Sequence, residues 1–380
     1  MKQLLAYCLS IILCVSFTGC MENYLDLYPE DKITSASFPE NESDIKLLLN
    51  GVYAQLREKE VYNQGLFGFG ITDGATPNAF NWGTDEVFNK LGAGRLSSSD
   101  GGVVTYRWKR CYEIISRANY LLACMDLVDL SEEAKAKYSG ETHFLRGLAY
   151  SVLAETYGGV PIILTDISTE EARSLKRASL EETWQQALDD YEVAITNLGV
   201  DAPEPGRATK GAALGMKMRA YLYQGKYKEV LSCVEQIDAL KKYGLFHSYE
   251  GLFDPANENN KEVLFDIQYI EGENSQGSYI DQYCGTGTGS WTRGSRYVPT
   301  DDLVAAYETI DGSPVDPDNP YENRDPRLGF TAVLPGSYFL GYRFPNYLYP
   351  GGAFNHAGNR LKHLSTRKYR IQDESKLPPS

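Results

Sequence analysis

Two stretches of the chain set a tryptophan among polar side chains and glycine. The first runs from Asp73 to Trp82 and holds Asn78, Phe80, Asn81 and Trp82. The second runs from Tyr279 to Tyr297 and holds Tyr283, Trp291, Arg293 and Arg296. A flat apolar ring edged by amide or guanidinium groups suits a ligand with one patch of C–H bonds and a rim of hydroxyls, as a pyranose has. Contact of that kind is shallow, because stacking on an aromatic face supplies apolar area without deep enclosure. The same rings could instead anchor the two loops on the protein body, and each residue taken singly fits either use. The candidate ligand contacts are Asn78, Phe80, Asn81, Trp82, Tyr283, Trp291, Arg293 and Tyr297.

Signatures of covalent chemistry are missing from the sequence. It has no HExxH, no GxSxG and no Walker A motif. The run Gly285-Thr286-Gly287-Thr288-Gly289-Ser290 puts Ser where a dinucleotide fingerprint needs its third glycine, so it reads as a flexible loop. There are four histidines; His143 falls in a helical pattern, and His356 and His363 have no partner at metal spacing. The 51 acidic residues could supply a glycosidase-like pair, but sequence alone selects none. The expectation is a binding protein without catalysis, cofactor or metal. Arg324-Asp325-Pro326-Arg327-Leu328 is a compact charged motif, read as structural through ion pairing or helix capping rather than as ligand contact.

The chain has 380 residues with 37 Lys+Arg against 51 Asp+Glu, a net charge of -14. Phosphate binding needs a basic face, so the acidity argues against nucleic acid as partner. Hydrophobic residues make up 42%, a globular composition. Tyrosine is in surplus at 28, beside 14 Phe and 4 Trp, enough for a core and a binding surface together.

Met1-Lys2 is followed by an almost wholly apolar stretch from Leu4 to Phe17, the length of a signal-peptide core and too short to span a bilayer as a helix. It runs into Phe17-Thr18-Gly19-Cys20, small residues before a Cys, as in a bacterial lipobox. The expectation is that residues 1–19 are a lipoprotein signal peptide and Cys20 the lipidated first residue, the alternative being an ordinary signal peptide followed by a chance Cys. Without them the chain keeps 36 Lys+Arg against 51 Asp+Glu, a net charge of -15, and five cysteines. Cys111, Cys124 and Cys233 lie in helical patterns and read as small core residues, and no spacing supports a disulfide framework or a zinc site.

The elements that must carry the two loops are helices. Ile45, Leu48, Leu49, Val52, Tyr53 and Leu56 form one stripe of a helix starting near Ser43. Trp108, Tyr112, Ile115, Asn119 and Leu122 repeat on one face of a second, from about 104 to 125. Ser131-Glu132-Glu133 opens a further segment, and a strong helix over 141–157 stops at Gly158-Gly159-Val160-Pro161. Ser179 and Glu182 form a capping box ahead of Trp184, Ala187, Leu188, Tyr191, Ala194, Ile195 and Leu198. Helices over 208–224 and 226–240, joined at Gly225, resemble a tetratricopeptide pair, which buries its face only by stacking on others. Val263, Phe265, Ile267 and Tyr269 alternate as in a short strand. The chain divides into a signal peptide over 1–19, a helical region over 20–245 and a loop-rich, ligand-binding lobe over 246–380.

In order along the chain, these segments resemble the SusD/RagB family of Bacteroidetes outer-membrane lipoproteins. The resemblance is carried by Cys20 to Asp26, Leu49 to Ala54, Trp108 to Leu122 with Arg117-Ala118-Asn119, and Gly140 to Tyr150 followed by Tyr157 to Pro161. It continues through Gly206 to Ala213, Asn260 to Phe265, Asp311-Gly312 and Arg324 to Arg327. It implies tetratricopeptide-like helix pairs carrying an irregular lobe with a few short strands. It implies a lipid-anchored, surface-exposed protein of the outer membrane that binds without catalysis. Its partner would be a SusC-like TonB-dependent transporter, on which it sits as a hinged lid. The ligand would be an oligosaccharide, with peptides taken by RagB-like members and a purely protein-binding scaffold as a further alternative. The family's closing helical segment has no counterpart before Ser380, so helices that it would cover are expected to show an exposed apolar stripe.

Overall fold

The structure is a computed structural model that describes residues 38–57, 73–81, 90–97, 99–101, 103–269, 297–339, 342–343 and 365–366. It is mainly helical. In chain order the elements are α1 (Glu42–Ala54), β1 (Ala79–Asn81), α2 (Val103–Cys124), α3 (Glu132–Tyr157), α4 (Thr169–Ser174), α5 (Leu180–Asn197), α6 (Lys210–Tyr223) and α7 (Tyr227–Ala239). There follow β2 (Tyr297–Pro299), α8 (Asp301–Ala306), α9 (Pro326–Thr331), β3 (Ala332–Val333), β4 (Tyr338–Phe339), β5 (Tyr342–Arg343) and β6 (Ser365–Thr366).

The α3 helix is the axis of the body. Ser131 caps it by accepting from the Ala134 N–H, and Glu132 and Glu133 place negative charge on its first turn. It runs unbroken for 26 residues, so the two segments expected around 131 and 141–157 are one helix. Lys135 and Lys137 keep its exposed start charged, which hides the helical period there from an apolar-stripe reading. It ends where Gly158 turns to φ +74, a conformation that a side chain disfavours, and the Gly158 N–H closes on the Ala154 carbonyl. Arg177 finishes that end by donating to the Tyr157 and Gly159 carbonyls at 2.5 and 2.6 Å.

Phe144, Leu145, Leu148, Tyr150 and Leu153 of α3 are buried, and each apolar side chain so enclosed contributes roughly 1.5–3 kcal/mol. The α3 helix packs most extensively on α5, and also on α2, α1 and α6. The expected stripes are in this core: Ile45, Leu49, Val52 and Leu56 from α1 and its 3₁₀ extension, Ile115 and Asn119 from α2, and Trp184, Ala187, Leu188, Tyr191, Ala194 and Leu198 from α5 and its end. Cys111, Cys124 and Cys233 are buried free thiols.

Polar side chains do work that a sheet would do elsewhere. Asn119 donates to the Ile163 and Thr165 carbonyls, and the Tyr150 hydroxyl donates to Ile163 O and accepts from Ile163 N. Tyr112 donates to Pro161 O at 2.7 Å. These bonds satisfy the backbone of an extended segment that has no ladder partner among the described residues. Arg146 donates from Nε and Nη2 to Asp190 and from Nη1 to Asn119 Oδ1, tying α3 to α5 and α2.

The α6 and α7 helices form the expected tight pair across Gly225. Only Cys233 of α7 is buried, and Tyr227, Leu231 and Val234 form an exposed apolar stripe. The expected strand over Val263–Tyr269 is not one: the segment is irregular, with a bend at Leu264, and forms no ladder among the described residues. Phe265 and Ile267 pack against the core, with the Phe265 ring 4.9 Å from that of Phe144, while Leu264 lies against Gly215 of α6, so both faces of the segment are half-buried. Among the described residues the strands are two or three residues long, in three two-stranded antiparallel ladders.

Candidate functional site

The two candidate stretches meet. β1 comes from the end of the first and β2 from the end of the second, and they pair antiparallel with Ala79 opposite Pro299, Phe80 opposite Val298 and Asn81 opposite Tyr297. Thr300 N–H donates to Asn78 O at 3.1 Å and extends the ladder one step. The first stretch reaches the ladder from the turn at residues 73–78, at the Ala79–Pro299 end, and only its last residue, Trp82, follows Asn81, whereas the second stretch runs into Tyr297 from Arg296.

The ladder is built on a hydrogen-bonded turn. Thr76 donates from N and from Oγ1 to Asp73 O, and Asn78 N–H donates to Thr76 Oγ1. Gly92 packs against this turn, where a Cβ would be in van der Waals contact with the Ala75 Cα at 3.4 Å. Beyond Gly92, Lys90 pairs with Asp100 at 2.8 Å, and this bond holds the Asp100 carboxyl at about 2. Asn78 is exposed. Phe80, Asn81 and Tyr297 are described by their backbone places in the ladder. Trp82, Tyr283, Trp291 and Arg293, and the lipidation candidate Cys20, lie outside the described residues.

On the far side of the ladder, Thr300 caps α8: its Oγ1 accepts from Leu303 N–H and donates to Pro77 O. The other end of α8 is held by Arg324. Its Nη2 donates to Val304 O and Tyr307 O at 2.6 and 2.5 Å, Nη1 to Pro320 O at 2.6 Å and Nε to Tyr307 O at 3.2 Å. Asp325 caps α9 through the Arg327 N–H, with Pro326 at the first helical position, and the Arg327 guanidinium holds the Asp325 carboxyl at about 2. The charged motif is therefore structural, as its composition predicts. β6 lies against β2 and pairs with β3, whose Ala332 and Val333 are buried.

Thr300 lies outside every apolar stripe of the sequence. Its signal was present: Thr300-Asp301-Asp302 ahead of Leu303 has the form of a helix start with acids on the first turn. His143 is accounted for, since its Nδ1 lies 2.8 Å from Ser139 O and burial lowers its pKa. No cluster of three His, Cys, Asp or Glu is placed to hold a metal among the described residues, and no described helix is long and apolar enough to cross a membrane.

A body of stacked helix pairs that presents a loop-built lobe is the class of protein these features define. The family described as "Starch-binding associating with outer membrane" matches residues 23–222, more than half of the chain, and the SusD family matches residues 261–376. The chain belongs to the SusD/RagB family. A SusD-like protein of Formosa agariphila is 26% identical over 321 residues, covering 78% of this chain and 58% of that relative. A SusD-like protein of Bacteroides ovatus is 23% identical over 278 residues, covering 67% of this chain and 48% of its own length. The chain thus spans about half the length of the curated relatives it matches. Among solved structures, a SusD-like carbohydrate binding protein of Bacteroides fragilis superposes with a TM-score of 0.75 at 26% identity, covering 89% of this chain and 68% of that one. A laminarin binding SusD-like protein shares the fold, with a TM-score of 0.60 at 19% identity over 88% of this chain and 73% of its own.

Proposed function

We propose that this protein is a cell-surface lipoprotein, anchored through Cys20, that binds oligosaccharide and passes it to a SusC-like TonB-dependent transporter without cleaving it. The observation that carries the reading is the register of β1 on β2. Two aromatic and polar stretches from distant parts of the sequence are joined in one ladder, where Asn81 stands opposite Tyr297. A shared origin lets rings from both face one extended ligand, and a polymer gains affinity from several shallow contacts in a row. Membership of a family described as starch-binding, and likeness to a SusD-like carbohydrate binding protein, support the ligand class. The contacts assigned to it are Asn78, Phe80, Asn81, Trp82, Tyr283, Trp291, Arg293 and Tyr297.

The test is affinity electrophoresis of the purified chain through gels that contain starch, laminarin or other polysaccharides, with Trp82→Ala and Trp291→Ala beside it. Each ring is expected to contribute about 1–1.5 kcal/mol, so each substitution weakens retention roughly tenfold on the polymer that wild type binds. Wild-type mobility unchanged on every polysaccharide, with retention on immobilised oligopeptides, moves the ligand to peptide.

A further inference from the structure

We infer that Thr300 is the positioning residue of the proposed ligand surface, with Arg324 fixing the element on which Thr300 stands. The inference rests on the ligand reading above and assigns to it residues that touch no ligand. Thr300 joins three things at one point. Its N–H continues the β1–β2 ladder to Asn78 O, its hydroxyl donates to Pro77 O, and the same oxygen caps α8 through Leu303 N–H. A hydroxyl has one proton to give, and here it goes to the turn that leads into Asn78, Phe80 and Asn81. The place of β1 is thereby set by the place of α8.

An isolated helix of six residues does not hold itself, because too few bonds repay its nucleation. What holds α8 is its cap at one end and the Arg324 fork at the other. Arg324 is 7% exposed and donates from all three guanidinium nitrogens to carbonyls of Val304, Tyr307 and Pro320. Its own backbone is fixed by pairing across the strand-like turn: Ile310 N–H donates to Asn323 O at 2.9 Å, and Asp325 N–H to Glu308 O at 2.8 Å. A continuous set of bonds therefore runs from Arg324 through α8 and Thr300 to the turn at Asp73–Asn78. A lysine in place of Arg324 would keep the charge and lose the planar fork.

Thr300→Val keeps the branched shape and removes the hydroxyl, and Thr300→Ser restores it. Two readouts separate positioning from simple stability: amide hydrogen exchange resolved to residues 73–81, and polysaccharide affinity. In Thr300→Val the amides of 73–81 are expected to exchange faster while α3 and α5 stay at wild-type rates. Affinity for the retained polysaccharide should fall about tenfold, the equivalent of one hydrogen bond of ordinary net strength. Serine should recover both, and Arg324→Lys should move both in the direction of the valine variant. Wild-type exchange over 73–81 in Thr300→Val overturns the inference. So does faster exchange with affinity unchanged. If wild type binds no polysaccharide, the ligand reading fails on its own, and exchange over 73–81 alone decides whether Thr300 positions the turn.

Discussion

Glu141 brings a carboxylate into the packing of α1 on α3, with its side chain 2% exposed. The Tyr53 hydroxyl donates to it at 2.8 Å, and the Arg207 guanidinium lies 3.6 Å away, over the Tyr53 ring. Loss of water outweighs both partners and raises the carboxyl above its ordinary 4.5. An acid whose folded pKa is raised binds its proton more tightly in the native state than in the unfolded chain. The stability it contributes is present below about 4.5 and lost as pH rises through the folded value. Glu141→Gln keeps an acceptor for Tyr53 and removes the titration. The urea midpoint of this variant should therefore fall less than that of wild type as pH rises above that range; superimposable profiles would mean that Glu141 does not titrate as its burial requires. The residue was legible as part of a family motif, but its job was not. Gly140 to Tyr150 identifies the family, and only the structure shows why its polar members matter: Glu141 meets α1, Arg146 meets Asp190 and Asn119, and Tyr150 holds Ile163. Tyr112, Tyr150 and Tyr157 are used in this way, as rings packed in or against the core whose hydroxyls donate to backbone carbonyls, and two of the four tryptophans, Trp108 and Trp184, belong to the helical body.

At the scale of elements, what the sequence displays depends on how long a period it repeats. The α1, α2, α5, α6 and α7 helices run long enough for an apolar stripe to recur, and their limits were readable to within a few residues. The Ser168–Glu171 box that opens α4 has the same form as the Ser179–Glu182 box but precedes too short a helix to show a stripe. β1 and β2 have three residues each, so no alternation can be seen in either, and their pairing across the chain is invisible until the turn and Thr300 are in place. Val263–Tyr269 fails in the opposite direction, since its apolar residues pack against helices from an irregular segment in which every residue is half-buried. Close approach of helices is also unreadable from a stripe. Gly147 of α3 sits so near α5 that a Cβ there would be 3.0 Å from the Asp190 Cβ and from the Tyr191 ring, and 3.1 Å from the Ala187 carbonyl oxygen. Gly147→Ala is favourable for helix propensity, yet it must push α3 from α5 beside the Arg146–Asp190 pair. Overpacking of this kind costs about 1–3 kcal/mol, more than the propensity gain of roughly 1. A lower urea midpoint with an unchanged m-value is the expected result, and a variant as stable as wild type would show that the α3–α5 contact yields freely.

For the whole molecule, the balance between charge and apolar surface decides how the chain behaves in solution. A net charge of -14 opposes indiscriminate association. Against it stands α7, which presents apolar residues on two faces. Cys233, with half-buried Val230 and Ile237, lies against α6, whereas Tyr227, Leu231 and Val234, spaced i, i+4, i+7, are 67%, 63% and 37% exposed. Leu222 and Tyr223 at the end of α6 are 46% and 53% exposed as well. Single exposed leucines are ordinary, but a run along one helix that continues onto its neighbour is a surface to which apolar dyes and other chains adhere. Replacing Leu231 and Val234 by Lys together removes the centre of that run without touching a buried contact. The double variant should bind less 1-anilinonaphthalene-8-sulfonate and self-associate less at high protein concentration. Its thermal midpoint should stay within about 2 °C of wild type, because surface changes away from buried features are usually worth under 0.5 kcal/mol. Undiminished dye binding would place the adhesive surface elsewhere on the molecule, and a large fall in the midpoint would mean that these side chains are packed in solution rather than open to water.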